Sequence, residues 1–148
     1  MTTSGRLVRE PIDTAAVMRE VASPAHGAIL MFLGVVREVN DGRDVTGIEY
    51  SAYEAMAARE LDAIAHEAAQ RVSGTSVVIV HRLGELALLE VSVAIAVGHA
   101  HRGEAYDVSR WTIEELKRRV PIWKREHYVD GTREWVDPSG RPTAEATR

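Results

Sequence analysis

The sequence predicts an α+β fold, on three observations. Two long segments, Glu54 to Val72 and Glu104 to Val120, repeat apolar residues at three- and four-residue steps, as amphipathic helices do. Several runs dense in Val, Ile and Leu read as strands. Strands and helices follow one another in mixed order, and the strands that pair look partly antiparallel, which favours α+β over strict β-α alternation.

Taken in order, Leu7-Val8 begins a short extended segment that stops at Pro11. Asp13 or Thr14 can cap a short helix reaching Val21, because their side-chain oxygens accept from free amides at a helix start. Ser23-Pro24 breaks it. Ala28 to Val36 is a buried strand. Arg37 to Asp44 is polar, and Asn40-Asp41-Gly42 marks a turn. Val45 to Ser51 forms the next strand. In the first long helix Ala57, Leu61, Ile64, Ala68 and Val72 share one stripe, and Ser73-Gly74 stops it. Ser76 to His81 is a strand, and Leu83-Gly84-Glu85 turns the chain. Leu89 to Val97 is a strand with Val91, Val93, Ile95 and Val97 on one face. Ser92, Ala94 and Ala96 on its other face suggest close packing there. The second long helix turns Val108, Trp111, Leu116 and Val120 inward and ends at Pro121. Its last turn carries Lys117, Arg118 and Arg119, where cations complement the helix dipole. Trp123 to Val136 holds two short strands around Asp130-Gly131. Residues 1–137 are expected to form one domain, and Pro138 to Arg148, poor in large apolar side chains, a loose tail.

The 148 residues suit a single core, and the composition, 45% hydrophobic and 27% charged, is ordinary for a globular protein. The net charge of −4 gives no reason to expect nucleic acid or a membrane as partner, so any anion site must come from local clustering of cations. The chain has no cysteine, which excludes disulfides, thiolate metal sites and a Cys nucleophile. No signal-peptide pattern or membrane-length apolar run is present, and a cytoplasmic protein is expected.

Three places offer chemistry. Gly34-Val35-Val36-Arg37 ends a buried strand, and Arg37 presents planar donors suited to phosphate or carboxylate; on these residues alone a plain surface arginine starting a loop is the favoured reading. His99-Ala100-His101-Arg102 joins a buried strand to a helix start, where an anion can sit. His101 could move a proton near neutral pH. His99 and His101 share a face if the strand continues, but no acidic or Cys partner completes a metal set, so no metal is expected. Lys117-Arg118-Arg119-Val120-Pro121-Ile122-Trp123-Lys124-Arg125-Glu126 places five cations in ten residues of an acidic protein. The break at Pro121 lets Lys117 and Lys124 approach one site from two elements, and neighbouring cations disfavour a charged lysine. A solvated helix end explains Arg118 or Arg119 but explains the whole cluster less well. Tyr50, Tyr53 and Met56 read as packing residues.

Five segments, in order and over nearly the whole chain, resemble the molybdopterin synthase catalytic-subunit family: Phe32-Leu33-Gly34-Val35-Val36-Arg37, Tyr50-Ser51-Ala52-Tyr53-Glu54-Ala55-Met56-Ala57, His81-Arg82-Leu83-Gly84-Glu85-Leu86, Ala100-His101-Arg102 and the Lys117–Glu126 stretch. The resemblance implies an α/β-hammerhead-like mixed sheet with two main helices. It also implies a homodimer within a heterotetramer, with a small ubiquitin-like subunit at each end. That subunit carries a C-terminal Gly-Gly thiocarboxylate. The implied substrate is cyclic pyranopterin monophosphate, and the product is the dithiolene molybdopterin, formed by two successive sulfur deliveries without a cofactor. A sulfur transferase without cysteine must receive sulfur already activated on its partner.

The resemblance carries binding positions onto Val35, Val36, Arg37, His101, Arg102, Lys117, Lys124, Arg125 and Glu126. Lys117 and Lys124 are the expected catalytic pair. Arg37, His101 and Arg102 are expected to hold phosphate or pterin, and Glu126 to orient Lys124 or Arg125. The chain departs from the family pattern at Asp130 to Trp135, which is longer, and Arg141 is the nearest substitute for an arginine the family places after its Trp-Val pair. Two other functions fit the cations alone: a non-catalytic module that captures a carboxylate tail, and a phosphate-ligand or RNA-binding protein. Net acidity and few aromatic residues weigh against the last.

Overall fold

The computed structural model describes residues 2–136; the expected tail at 138–148, Arg141 included, lies outside the described residues. Its elements are β1 (Thr3–Val8), α1 (Thr14–Glu20), β2 (Ala28–Val35), β3 (Val39–Asn40), β4 (Arg43–Ala52), α2 (Glu54–Arg71), β5 (Ser76–Arg82), β6 (Gly84–Ala87), β7 (Val91–His99), α3 (Arg102–Arg119), β8 (Ile122–Tyr128) and β9 (Arg133–Val136). None of these helices is long and apolar enough to cross a membrane.

Alternation along β5 and β7 builds the centre. These strands form a four-stranded sheet of order β1-β5-β7-β2, parallel between β1 and β5 and otherwise antiparallel. One face presents Val77, Ile79, Val93, Ile95 and Val97 to the apolar stripes of α2 (Leu61, Ile64, Ala68) and α3 (Val108, Leu116), and these side chains form the main core. The opposite face presents Val78, Val80, Ala94 and Ala96 to Val17 and Val21 of the α1 segment. The small alanines let that short helix lie close. Asp13 caps α1 by accepting from the Ala16 amide at 3.0 Å, satisfying one amide at the helix start.

A second, five-stranded sheet runs β3-β4-β8-β9, with β6 also paired to β4. Val36, Val45, Ile48, Leu86 and Tyr128 form its own smaller core. The α+β class and mixed pairing agree with the sequence reading, although the strands divide between two sheets. Four segments differ in detail. β2, expected as a buried strand, is an edge strand of its sheet with Ile29, Leu33 and Val35 exposed. β1 begins at Thr3, because parallel pairing with β5 extends an edge strand whose polar residues give no apolar alternation. The turn expected at Leu83-Gly84-Glu85 opens directly into β6, where Glu85 pairs with Glu49 of β4. Leu89 has φ 70° and is 83% exposed, so it belongs to the β6–β7 turn, and β7 starts at Val91.

Candidate active site

An open cleft lies where the two sheets meet the end of α3. Its volume is about 570 Å3, space continuous with solvent included. Phe32, Val35, Val93 and Ile113 supply an apolar side. Arg37, Lys117, Lys124 and Glu126 supply charge, and Asn40, Tyr50 and Ser92 complete the polar lining.

Local sequence explains how each group arrives. The register of β2 on β7 shifts between Gly34 and Val35, a bulge that re-aims the strand end. A Cβ at Gly34 would sit 2.7 Å from Val93 Cγ1, so glycine is what lets β2 lie this close to β7. Beyond the bulge Val35 is 50% exposed and lines the cleft. Val36 turns into the small core, its amide donating to the Glu90 carbonyl and its carbonyl accepting from Leu89. Arg37 then emerges, and its Nη2 donates to Asn40 Oδ1 at 3.2 Å. Pro121 separates α3 from β8, which brings Lys117 at the helix end and Lys124 on the strand to one cleft. Alternation along β8 sends Lys124 and Glu126 to the cleft and Trp123, Arg125 and His127 to the other face.

The electrostatics follow from burial and proximity. Lys124 Nζ is 3.4 Å from Glu126 Oε1. Glu126 also accepts from Asn40 Nδ2 at 2.6 Å and from the Tyr128 hydroxyl at 2.7 Å. Burial alone would raise the Glu126 carboxyl, but donation from Tyr128, Asn40 and Lys124 outweighs it and holds the group below the usual carboxylate value. Tyr128 is shifted the other way, by burial first and then by the carboxylate it serves. Lys117 is pushed below the ordinary lysine value, chiefly by desolvation and secondly by the charge of Lys124. Burial also raises the Tyr50 hydroxyl, with Ser92 opposing the shift and Glu126 adding to it. His81, packed edge-on against Tyr50 at 5.1 Å, is driven down to about 4 by burial, against a hydrogen bond to the Arg82 carbonyl and with Lys117 adding to the fall.

Of the residues singled out in the sequence, the fold gathers Val35, Arg37, Lys117, Lys124 and Glu126 at one cleft. Val36, His101, Arg102 and Arg125 do not line it. Arg125 pairs with Glu49 across the β4–β8 ladder and lies 5.0 Å from the Trp135 ring. His101 precedes α3, and its amide donates to His99 Nδ1 at 3.0 Å; Arg102 opens the helix. Both are exposed at the helix start, roughly 22 Å along the axis from Lys117 at 1.5 Å per residue. The cleft also holds Asn40, a turn residue by its Asn-Asp-Gly context, Tyr50, a packing residue by its position, and Ser92, none of which the sequence marks as functional. The strongest available signal was the parity of Lys124 and Glu126, which marks one strand face and hence an acid beside the lysine. Among the described residues, Glu49, Glu85 and His127 place possible metal-ligand atoms within 4.8 Å of one another, but Glu49 is already engaged by Arg125.

Comparisons with known proteins agree with this architecture. The family model described as MoaE protein matches residues 7–119. The chain is 39% identical to the molybdopterin synthase catalytic subunit of Halalkalibacterium halodurans, over 94% of each protein. It is 40% identical to the corresponding subunit of Emericella nidulans, over 87% of this chain but 66% of that longer protein. The crystal structure of molybdopterin synthase from Staphylococcus aureus superposes with a TM-score of 0.84 at 37% identity, covering 91% of this chain and 97% of that one. Molybdopterin cofactor biosynthesis protein E from Burkholderia multivorans gives 0.79 at 33% identity, covering 99% and 94%. With a matched model over most of its length and full-length relatives near 40% identity, the chain belongs to the MoaE protein family of molybdopterin synthase catalytic subunits.

Proposed function

We propose that the cleft converts cyclic pyranopterin monophosphate to the dithiolene molybdopterin, with sulfur delivered by the C-terminal thiocarboxylate of a small ubiquitin-like subunit. The observation that carries this reading is the convergence of Arg37, Lys117 and Lys124 on one partly apolar cleft. Both reactants are anionic, one through its phosphate and one through its tail. Fixed cations in a cleft that excludes part of the solvent bring two such reactants together and stabilise charge that develops between them.

In each transfer the thiocarboxylate sulfur bonds to an oxygen-bearing side-chain carbon of the pterin and the C–O bond at that carbon breaks, the oxygen leaving as water or remaining on the opened phosphate. Water then cleaves the acyl carbon–sulfur bond, so the sulfur stays on the pterin and the tail returns to a carboxylate. Lys117, whose ammonium is biased toward the neutral form, sits nearest this chemistry and moves the proton or stabilises the acyl intermediate. Lys124 is its electrostatic partner, held by Glu126. Arg37 holds the phosphate. His101 and Arg102 cannot reach the cleft of their own copy, so we assign their substrate contacts to the homodimer, where a second copy brings its helix start to the site. Arg125 and Val36 contribute through strand register and packing, and Val35 by contact at the rim. No resident cofactor or metal is assigned. Residues 1–137 act as one catalytic domain, and we assign the reaction to the cytoplasm.

The test mixes the purified chain with thiocarboxylated small subunit and cyclic pyranopterin monophosphate and measures dithiolene product. Binding of the small subunit without product would favour the tail-capturing module instead.

A further inference from the structure

We infer that Asn40 is a positioning residue that ties the phosphate-holding Arg37 to the Glu126–Lys124 pair, so that two parts of the site on different elements keep a fixed separation. The reactant names rest on the function proposed above; the coupling rests on geometry. The Asn40 amide is used at both ends: Oδ1 accepts from Arg37 Nη2 at 3.2 Å, and Nδ2 donates to Glu126 Oε1 at 2.6 Å. The same carboxylate oxygen lies 3.4 Å from Lys124 Nζ. Arg37 is otherwise an exposed, rotamer-rich side chain just beyond a strand end, and within the described residues its one side-chain hydrogen bond is to Asn40. An untethered arginine loses side-chain entropy whenever it binds, whereas a tethered one has already lost it.

The turn that carries Asn40 is itself held. Asp41 and Gly42 have φ of 51° and 74°, the paired positive values of a two-residue type I′ hairpin, which fixes Asn40 opposite Arg43. Arg43 pins the hairpin from the other side. Its guanidinium lies 3.5 Å from the Tyr128 ring centroid, and it donates to Glu134 at 2.9 Å and to Thr132 at 2.8 Å. Tyr128 closes the circuit by donating to Glu126. Asn40 is thus clamped between a rigid turn and a buried carboxylate. Aspartate would fit the space but could not donate to Glu126, and alanine could do neither job.

The experiment compares wild type, Arg37→Ala, Asn40→Ala and the double variant in the complex with thiocarboxylated small subunit. Asn40→Ala is expected to raise KM for cyclic pyranopterin monophosphate about five- to tenfold, with a smaller effect on kcat. The double variant should have a KM no higher than Arg37→Ala alone, because both changes remove one coupled unit. Additive effects on KM, or an unchanged KM in Asn40→Ala, would overturn the inference. A second readout needs no turnover. Carbon-13 NMR of the catalytic subunit follows the Glu126 carboxyl, which faces Lys124 and Tyr128 on β8, Tyr50 on β4, Lys117 on α3 and, through Asn40, Arg37. Losing the amide donor should move its titration to higher pH, and Asn40→Asp, which keeps the shape, should do the same. If wild type makes no dithiolene, the proposed function fails, while an unmoved Glu126 titration still decides against this coupling. If Asn40→Ala does not fold, the Asn40→Asp titration takes its place.

Discussion

Lys124 Nζ lies 3.4 Å from Oε1 of Glu126, a carboxylate with only 1% of its surface exposed. The pair sits at the junction of cleft and core, so the lysine reaches the ligand while its counter-ion stays dry. Removing the carboxylate should therefore act on the reaction and on the fold together. Glu126→Ala leaves Asn40, Tyr128 and Lys124 without their shared acceptor, an expected loss of about 1–3 kcal/mol in stability. Glu126→Gln keeps the volume and one acceptor. It should fold with a smaller loss yet lower kcat about tenfold or more, because a neutral amide no longer anchors the ammonium. Thermal unfolding and turnover of the two variants separate these effects. The pH sign is fixed by the lowered pKa: the carboxylate's contribution to stability is present above its ordinary value of 4.5 and is lost as pH falls through the lower folded value.

Lys117 and Lys124 should reveal each other through pH. Burial lowers Lys117 first, and the charge of Lys124 lowers it further. If neutral Lys117 acts as the base, kcat/KM rises with pH on a limb that reports its titration. Lys124→Ala removes a neighbouring positive charge, so Lys117 should hold its proton to higher pH and the limb should move in the alkaline direction. Lys117→Ala should cut kcat by about a hundredfold or more and abolish the limb. A limb that stays in place in Lys124→Ala would assign it to another group. Full turnover in Lys117→Ala would remove that lysine from the chemistry.

The fold was largely legible because its signals are local. The α2 stripe of Leu61, Ile64 and Ala68 needs only helical periodicity, and the valine alternation of β7 needs only strand parity. The lysine pair was legible for a related reason, since Pro121 forces an element boundary between Lys117 and Lys124. The partners of those lysines depend on contacts remote in sequence. Asn40 meets Glu126 across eighty-six positions, and nothing in Asn40-Asp41-Gly42 beyond its turn chemistry announces that meeting. The far-face placement of Arg125 was available from strand parity once β8 begins at Ile122. The outward position of His101 and Arg102 was not, because it depends on how far α3 carries them from the cleft.

His81 should make the protein acid-sensitive in a defined window. Its ring is buried 4% exposed against Tyr50 and stays neutral until pH falls to about 4, whereas the unfolded chain takes up a proton near 6.5. Between those values the unfolded state binds the proton and the folded state does not, so stability falls as pH decreases from 6.5 to 4. The full effect of this one group is on the order of 3 kcal/mol. His81→Phe should flatten the dependence of Tm on pH in that window. It also removes the hydrogen bond to the Arg82 carbonyl, so its Tm at pH 7 should drop modestly. An unaltered pH slope in the variant would place the acid sensitivity elsewhere.

Gly34 links strand packing to the cleft rim. A methyl group there would meet Val93 Cγ1 at 2.7 Å and the Ser92 hydroxyl at 3.3 Å. Val93 is 3% exposed and branched at Cβ, so it has little freedom to turn aside. The strain must be relieved by moving β2 away from β7 at the bulge, directly before Val35 and Arg37. Gly34→Ala should therefore lose about 1–3 kcal/mol of stability, the usual range for overpacking. It should also raise KM for the phosphate-bearing substrate, because Arg37 moves with the strand end. Pairing the substitution with Val93→Ala opens the space the methyl group needs. The double variant should recover KM toward the wild-type value even though the cavity at Val93 keeps stability low. Measuring Tm and KM on the single and double variants distinguishes displacement of Arg37 from general loss of folding: in the second case KM would not recover when Tm stays depressed.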